Sequence, residues 1–228
     1  MGMPYFIFNG ISSLDYLTVN ELPPIARAER DITKVEIPGR DGFLTEDYGT
    51  YRGIVKPVKC TIRNLSQIDY INSWLTGSGD IIFSNEPNKV YKGTIINSYE
   101  FTKILLTWHS ATIQFDCQPH KYSTSNDVIT LTVSPQTITN LGTVNSKPVI
   151  KVYGTGSIDL VINGSVVHLT NVTDYATIDS YLMDCYKDTI LKNNDMAGEF
   201  PELIPGDNNI SWVGTVTKIE IIPNWRWL

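Results

Sequence analysis

Residues Val35–Gly53 read VEIPGRDGFLTEDYGTYRG. Val35 and Ile37 are apolar where Lys34 and Glu36 are polar, so the stretch opens as a strand with one apolar face. Pro38-Gly39 ends that strand, because proline has no N–H for a ladder and glycine accepts backbone angles that other residues resist. Arg40-Asp41-Gly42 follows as a charged turn whose Asp-Gly pair suits a hairpin reversal. Phe43 and Leu44 then lead into Glu46, Asp47, Tyr48, Gly49, Tyr51 and Arg52. Turn residues, aromatics and both charge signs alternate, as in an exposed arm built for contact. The same residues also fit an ordinary hairpin tip on a β domain.

Working outward, the chain has 228 residues, 42% hydrophobic and 18% charged, enough for one large domain or two modest ones. A net charge of -6 with scattered basic residues argues against nucleic-acid binding as the main task, since phosphate neutralisation needs clustered Lys and Arg. No apolar run is long enough to cross a bilayer. The opening MGMPYFIFNG lacks a basic region and a small-residue cleavage site, so the expectation is a protein made and folded in a cytoplasm. Cys60, Cys117 and Cys185 are few and far apart, which predicts buried free thiols.

Along the chain, Tyr5–Thr18 holds a Tyr-Phe-Ile-Phe run and an Asn9-Gly10 turn, giving an opening strand or hairpin. Val58, Cys60 and Ile62 alternate with Lys59 and Thr61 in a strand with one buried face. A single helix is predicted over Ser66–Thr76. Ser66 and Asp69 form its capping box, Leu65 with Tyr70 its hydrophobic staple, and Gly77 its left-handed stop. Its apolar face, Ile68, Ile71 and Leu75 with Trp74 beside them, predicts packing against a sheet. Strands follow at 81–84 and 90–97 around the turn Asn85–Asn88, and at 101–106 and 111–117.

The polar run Tyr122–Asp127 marks a domain boundary, giving domains 1–122 and 128–228. Beyond it, short Thr/Val/Ile-rich strands predict a β-sandwich. They fall at 128–133, 149–153, 157–162, 165–169, 176–179, 210–212 and 216–222, with Thr155-Gly156-Ser157 as a glycine-rich turn and Asn163-Gly164 as a tight one. Residues 183–194 fit either an irregular crossing or a hairpin.

Catalytic chemistry finds little to build on. Cys117-Gln118-Pro119-His120 is at most half a metal site, because Cys60 and Cys185 have no close His or Cys partner, and a thiol on the apolar side of a strand is inert. Glu46-Asp47, Glu199 with Glu202, and Asp184 with Asp188 are not marked as pairs held across a cleft. Phosphate loops, nucleophile elbows and His-Glu-x-x-His are missing. The expectation is no enzyme, no catalytic residue, no metal and no cofactor. Trp212, Trp225 and Trp227 fit core or interface packing, or else a monomeric carbohydrate-binding β-sandwich.

Four stretches in order resemble the distal tail proteins of long-tailed bacteriophages. They are PGRDG preceded by Arg30-Asp31, Leu75–Gly93, FDCQPHKY at Phe115–Tyr122, and the run from Ile178-Asp179-Ser180 through FPELIPGDNNISW to PNWRWL. The resemblance implies a mainly β chain: an N-terminal ring-forming β-sandwich or barrel with one helix, then a galectin-like or carbohydrate-module-like β-sandwich. It leaves room for residues 223–228 to pack back on the first domain. It implies a virion structural protein of a phage or prophage, at the tail tip or baseplate hub, assembled in the host cytoplasm as a hexameric ring. Implied partners are other copies of the chain, the tail tube protein, and the tail-associated protein, tail fibre or receptor-binding protein. DNA is only passing cargo, and no membrane is bound. Pro38, Gly39, Arg40, Asp41, Gly42, Phe43, Leu44, Tyr48 and Tyr51 are then expected to form a subunit-interface arm. Two departures qualify the transfer. Pro223-Asn224-Trp225-Arg226 has Asn where the family often has its first Arg, and the compact sandwich has no room for glycan-binding insertions.

Overall fold

The computed structural model describes residues 2–62, 65–97, 99–104 and 108–228. Leu105 and Leu106, assigned above to the strand 101–106, lie outside the described residues. Two compact units divide the chain, one ending at Thr124 and the other spanning Ser125–Trp227.

The first unit contains β1 (Phe6–Phe8), β2 (Ile11–Ser12), β3 (Thr18–Glu21), β4 (Arg30–Glu36), β5 (Phe43–Tyr51) and β6 (Ile54–Ile62), then α1 (Ile68–Trp74). After the helix come β7 (Ser78–Phe83), β8 (Lys89–Ile95), β9 (Thr102–Lys103) and β10 (His109–Ser123). An antiparallel sheet runs in the order β2-β1-β7-β8-β10-β6-β3, with β9 also on β10. The Asn9-Gly10 turn closes β1 on β2, both residues at positive φ, as a two-residue hairpin requires.

Period-two alternation sends Phe6 and Phe8, Val58, Cys60 and Ile62, and Ile113, Phe115 and Cys117 into one core. Phe115 is its centre: the rings of Phe6, Phe8 and Phe83 lie 5.6, 5.7 and 6.0 Å from it. The helix covers this face with Ile71 and Trp74, each contributing about 1.5–3 kcal/mol by leaving water. Trp74 stacks on Phe6 and donates its indole N–H to the Phe8 carbonyl at 3.0 Å.

The helix is shorter than its sequence implied. A 3-10 turn takes Leu65–Gln67, and Gln67 occupies the N-cap without a side-chain cap bond. Leu65 and Tyr70 are both exposed, and Tyr70 pairs instead with Tyr16, ring centroids 4.8 Å apart. Tertiary packing of Tyr16 has displaced the local staple.

The second unit is one curled eight-stranded sheet. It contains β11 (Ile129–Leu131), β12 (Gln136–Asn140), β13 (Val149–Ile162), β14 (Ser165–Asp179), β15 (Asp184–Lys187), β16 (Ile190–Leu191), β17 (Met196–Ala197) and β18 (Gly206–Ile222). The order is β11-β18-β13-β14-β15-β16, with β12 on β18 and β17 on β14. Residues 183–194 thus include a small hairpin, β15–β16.

Six of the short strands expected here are really three long ones. Thr155-Gly156-Ser157 is not a turn: β13 continues through it with register shifts against both neighbours, and Gly156 has φ +83°. Glycine serves differently two residues earlier, where a Cβ on Gly154 would lie 2.1 Å from the Thr215 carbonyl oxygen and close strand approach excludes a side chain. Glycine in a strand marks a bulge as readily as a turn. Asn163-Gly164 is the tight turn the sequence suggests, closing Ile162 on Ser165.

Asn224, the departure from the family pattern, has a local cause. Its φ is +51°, a conformation asparagine adopts more easily than most residues. Its N–H donates to Asn126 Oδ1 at 2.9 Å, its Oδ1 accepts from Asn126 Nδ2 at 2.6 Å, and its Nδ2 donates to the Lys147 carbonyl at 2.9 Å. Asn224→Ala should therefore lower the stability of the second unit by about 1–3 kcal/mol, read as a fall in its denaturant midpoint. An unchanged midpoint would mean that this clamp contributes nothing.

Candidate functional site

β4 and β5 form a two-stranded sheet of their own, the hairpin that the opening stretch suggested. Its reversal lies one step earlier than Asp41-Gly42. Arg40 N–H donates to the Ile37 carbonyl at 3.1 Å across Pro38-Gly39, with Gly39 at φ +82°. Proline followed by a positive-φ glycine is the sequence of a type II turn. Gly42, also at φ +82°, then returns the chain into β5.

The register separates the arm's side chains into two faces, because directly paired residues share a face. Val35 opposes Leu44 and Thr33 opposes Glu46, and Tyr48 continues that side, its hydroxyl 3.3 Å from Glu46. Glu36 opposes Phe43, Lys34 opposes Thr45 and Ile32 opposes Asp47 on the other. Phe43 and Tyr48, both singled out in the sequence, therefore point to opposite faces. Lys34 lies over the Phe43 ring at 4.6 Å, so one aromatic is partly covered by its own hairpin. Val35, Leu44 and Tyr48 lie in a row along the first face, interrupted by the Thr33–Glu46 pair, with 43%, 44% and 52% of their surface exposed.

The base of the arm is polar. Arg30 pairs with Asp47 at 2.8 Å and donates to Tyr51 Oη at 3.1 Å, and Arg52 pairs with Asp31 at 2.8 Å. The Gly49 N–H and the Arg30 guanidinium hold the Asp47 carboxyl below its ordinary value. Hydrogen bonds from Arg27 and Arg30 likewise lower the Tyr51 phenol. Tyr51 packs edge-on against His120 of β10, ring centroids 6.1 Å apart. His120 is thus a packing partner of the arm, and Cys117 faces the Phe115 carbonyl in the core.

On the inward face of β6 lies a charged group that the sequence reading missed. Lys56 follows the β6 alternation onto the same inward face as Val58, Cys60 and Ile62, and is 2% exposed. Its ammonium donates to the Pro24 carbonyl at 2.8 Å and lies over the Tyr91 ring at 5.1 Å. Burial lowers its pKa. Nearby, Glu86 accepts from Lys121 Nζ at 2.9 Å and from the Tyr91 hydroxyl. Asn85 Nδ2 donates to the Pro23 carbonyl at 3.0 Å. Pro23-Pro24, the chain entering the arm, is therefore held from both sides by the first unit's own residues. The signal was present, since a lysine at an inward register position must be paired or neutral.

Among the described residues, no group of three or more His, Cys, Asp or Glu side chains could hold a metal ion. All three cysteines are free and buried, and burial pushes Cys60 and Cys117 up to about 12 and Cys185 to about 11. Trp225 is buried within the second core, and the partly buried Trp212 and Trp227 pack against it.

Neither a protein-family model nor a curated protein matches the sequence. Among solved structures, the chain is similar to the crystal structure of the SPP1 Dit protein, described as a paradigm of the hub adsorption apparatus in phages that infect Gram-positive bacteria. The two superpose with a TM-score of 0.76 over 100% of both chains, at 18% sequence identity. The resemblance carried by the sequence motifs is thus borne out in the fold: this chain shares the architecture of the SPP1 Dit protein.

Two outcomes test this chemistry. Glu86→Gln should lower the melting temperature at pH 7, costing about 2–4 kcal/mol, because two buried ammonium groups lose their counter-charge. Burial alone would raise the Glu86 carboxyl, but the bonds from Tyr91 and Lys121 hold it below its ordinary value. Its stabilisation is therefore present above the unfolded pKa of about 4.3 and lost as pH falls through the lower folded value. The gap between wild type and variant should close in that acid window, and a gap constant with pH would refute the assignment. Separately, a thiol reagent at pH 8 should leave all three cysteines unmodified until denaturant is added.

Proposed function

We propose that this chain is a structural hub of a phage or prophage tail tip, closing into a homohexameric ring. The ring joins the tail tube to the tail-associated protein, fibre or receptor-binding apparatus, and DNA passes through it as cargo. The subunit works in the virion, after assembly in the host cytoplasm, and catalyses nothing. The full-length likeness of fold to the SPP1 Dit hub protein carries this reading. A net charge of -6 suits a channel that must not retain DNA.

The first unit makes the ring, and its hairpin arm is the joint. The row Val35, Leu44 and Tyr48 is too exposed to be core, and apolar groups clustered on a projecting hairpin favour a protein cover. In a closed ring each subunit offers its arm to the next, so any weakening is repeated at every contact. Aromatic anchors dominate such contacts, whereas the turn charges Arg40 and Asp41 lie at the rim.

Light scattering on a size-exclusion column tests the joint. Leu44→Ser with Tyr48→Ser should remove about 4 kcal/mol per contact, roughly a thousandfold in affinity, and yield monomers. The melting transition of that monomer should match the wild-type monomer's, since neither side chain supports the core. Arg40→Ala should leave the ring intact. A ring that survives the double change, or a monomer that unfolds with it, overturns the arm's assignment.

A further inference from the structure

The second unit has an open cleft of about 440 Å3 that the hub reading does not use. Ile162 and Val167, on either side of the Asn163-Gly164 turn, form its apolar floor, and the half-buried Phe200 adds an aromatic ring. Met183 and Ile204 stand at its mouth, 60% and 45% exposed. Glu199 and Glu202 on its wall outnumber its one cation, Lys147.

The wall from Glu199 to Ile204 lies outside every strand and helix, yet buried polar groups fix it. Leu203 and Ser146 exchange backbone bonds of 2.9 and 3.1 Å. Asn140 Nδ2 donates to the Leu203 carbonyl at 2.8 Å. Asn208, fully buried, accepts from Ile204 N–H and donates back to the Ile204 carbonyl, both at 2.8 Å. A cleft held in this way needs little ordering when a partner arrives.

The charge around the cleft decides what covers it. Residues 174–207, which include Met183 and the whole wall, carry eight Asp or Glu against Lys187 and Lys192. That is a net charge of -6, the value for the entire chain, so all other residues together balance. None of the eight acidic residues is buried. Among the described residues Glu199 and Glu202 form no ion pair, and the Asn145 amide that donates to Glu202 at 3.0 Å leaves its charge in place. Such a surface repels nucleic acid and anionic lipid. A second copy of this chain brings no surplus positive charge to it. Exposed apolar side chains at a cleft mouth favour cover by protein, and that protein must be basic here.

We infer that this cleft docks an extended, lysine- or arginine-rich segment of another protein. An extended segment sends alternate side chains to opposite sides. Its apolar residues enter the cleft against Ile162, Val167 and Phe200 and cover Met183 and Ile204, while the cations between them meet Glu199 and Glu202 at the rim. The cleft lies wholly within the second unit, so it does not depend on ring assembly or on the arm.

Fluorescence anisotropy on the full chain tests it with labelled hexapeptides that alternate lysine, or arginine, with leucine and phenylalanine. At least one should bind with a Kd on the order of 100 μM, and more weakly as salt is raised. Replacing its cations by glutamate, or its apolar residues by serine, should each weaken binding roughly tenfold or more. Met183→Ser with Ile204→Ser should do the same at unchanged charge, and so should Glu199→Gln with Glu202→Gln, whereas Asp188→Asn, outside the cleft, should not. Several results overturn the site: no binding by either peptide, equal binding of the serine peptide, a preference for the glutamate peptide, or equal loss with Asp188→Asn. If the Met183/Ile204 variant melts early, Met183→Ser alone replaces it, and a clear loss of affinity is still required.

Discussion

A lysine ammonium buried on the apolar side of a strand cannot be left unpaired, and much of the first unit follows from that constraint. Lys56 enters the core because β6 alternates, and its charge must be met there. The Pro24 carbonyl meets it directly, the Tyr91 ring lies beside it, and Glu86 supplies the opposite charge nearby. Glu86 can do so only because the turn between β7 and β8 turns its side chain inward, where Lys121 and Tyr91 also bind it. One ionic network thus ties β6, β8, β10 and the Pro23-Pro24 segment together. The chain leaves that segment already fixed, which is why a hairpin with almost no buried side chains still springs from a defined root.

The hairpin itself is held by exposed interactions that screening by water makes weak one at a time: the Arg30–Asp47 and Arg52–Asp31 pairs and Lys34 over Phe43. These set its local shape without burying the row of Val35, Leu44 and Tyr48. An element that is stable in outline but uncovered on one face is suited to completion by another chain, and this is the physical basis for reading it as a joint. The second unit spends its buried polar groups differently. Asn140 and Asn208 hold an irregular wall around a cavity, and Asn126 with Asn224 closes the unit's first and last segments on each other.

The sequence by itself determined the parts governed by short-range rules. Period-two alternation marked the strands around Val58–Ile62 and Ile113–Cys117, and Asn9-Gly10 and Asn163-Gly164 marked two tight turns. The apolar face Ile71, Trp74 and Leu75 marked the one helix among the described residues, and alternating turn and aromatic residues marked the arm. Tertiary structure decided what depends on a distant partner. Gly156 became part of a bulge and not a turn because β13 goes on pairing with β18 on either side of it, a contact between residues far apart in the chain. Tyr70 abandoned its local staple for Tyr16, and the arm's aromatics were sorted to opposite faces by a register that composition does not encode. Lys56 was in plain view at an inward position, but its meaning rested on Pro24 and Glu86, which only folding brings to it. Local preferences are written in neighbouring residues, whereas burial, close approach and charge pairing exist only once the chain has brought remote segments together.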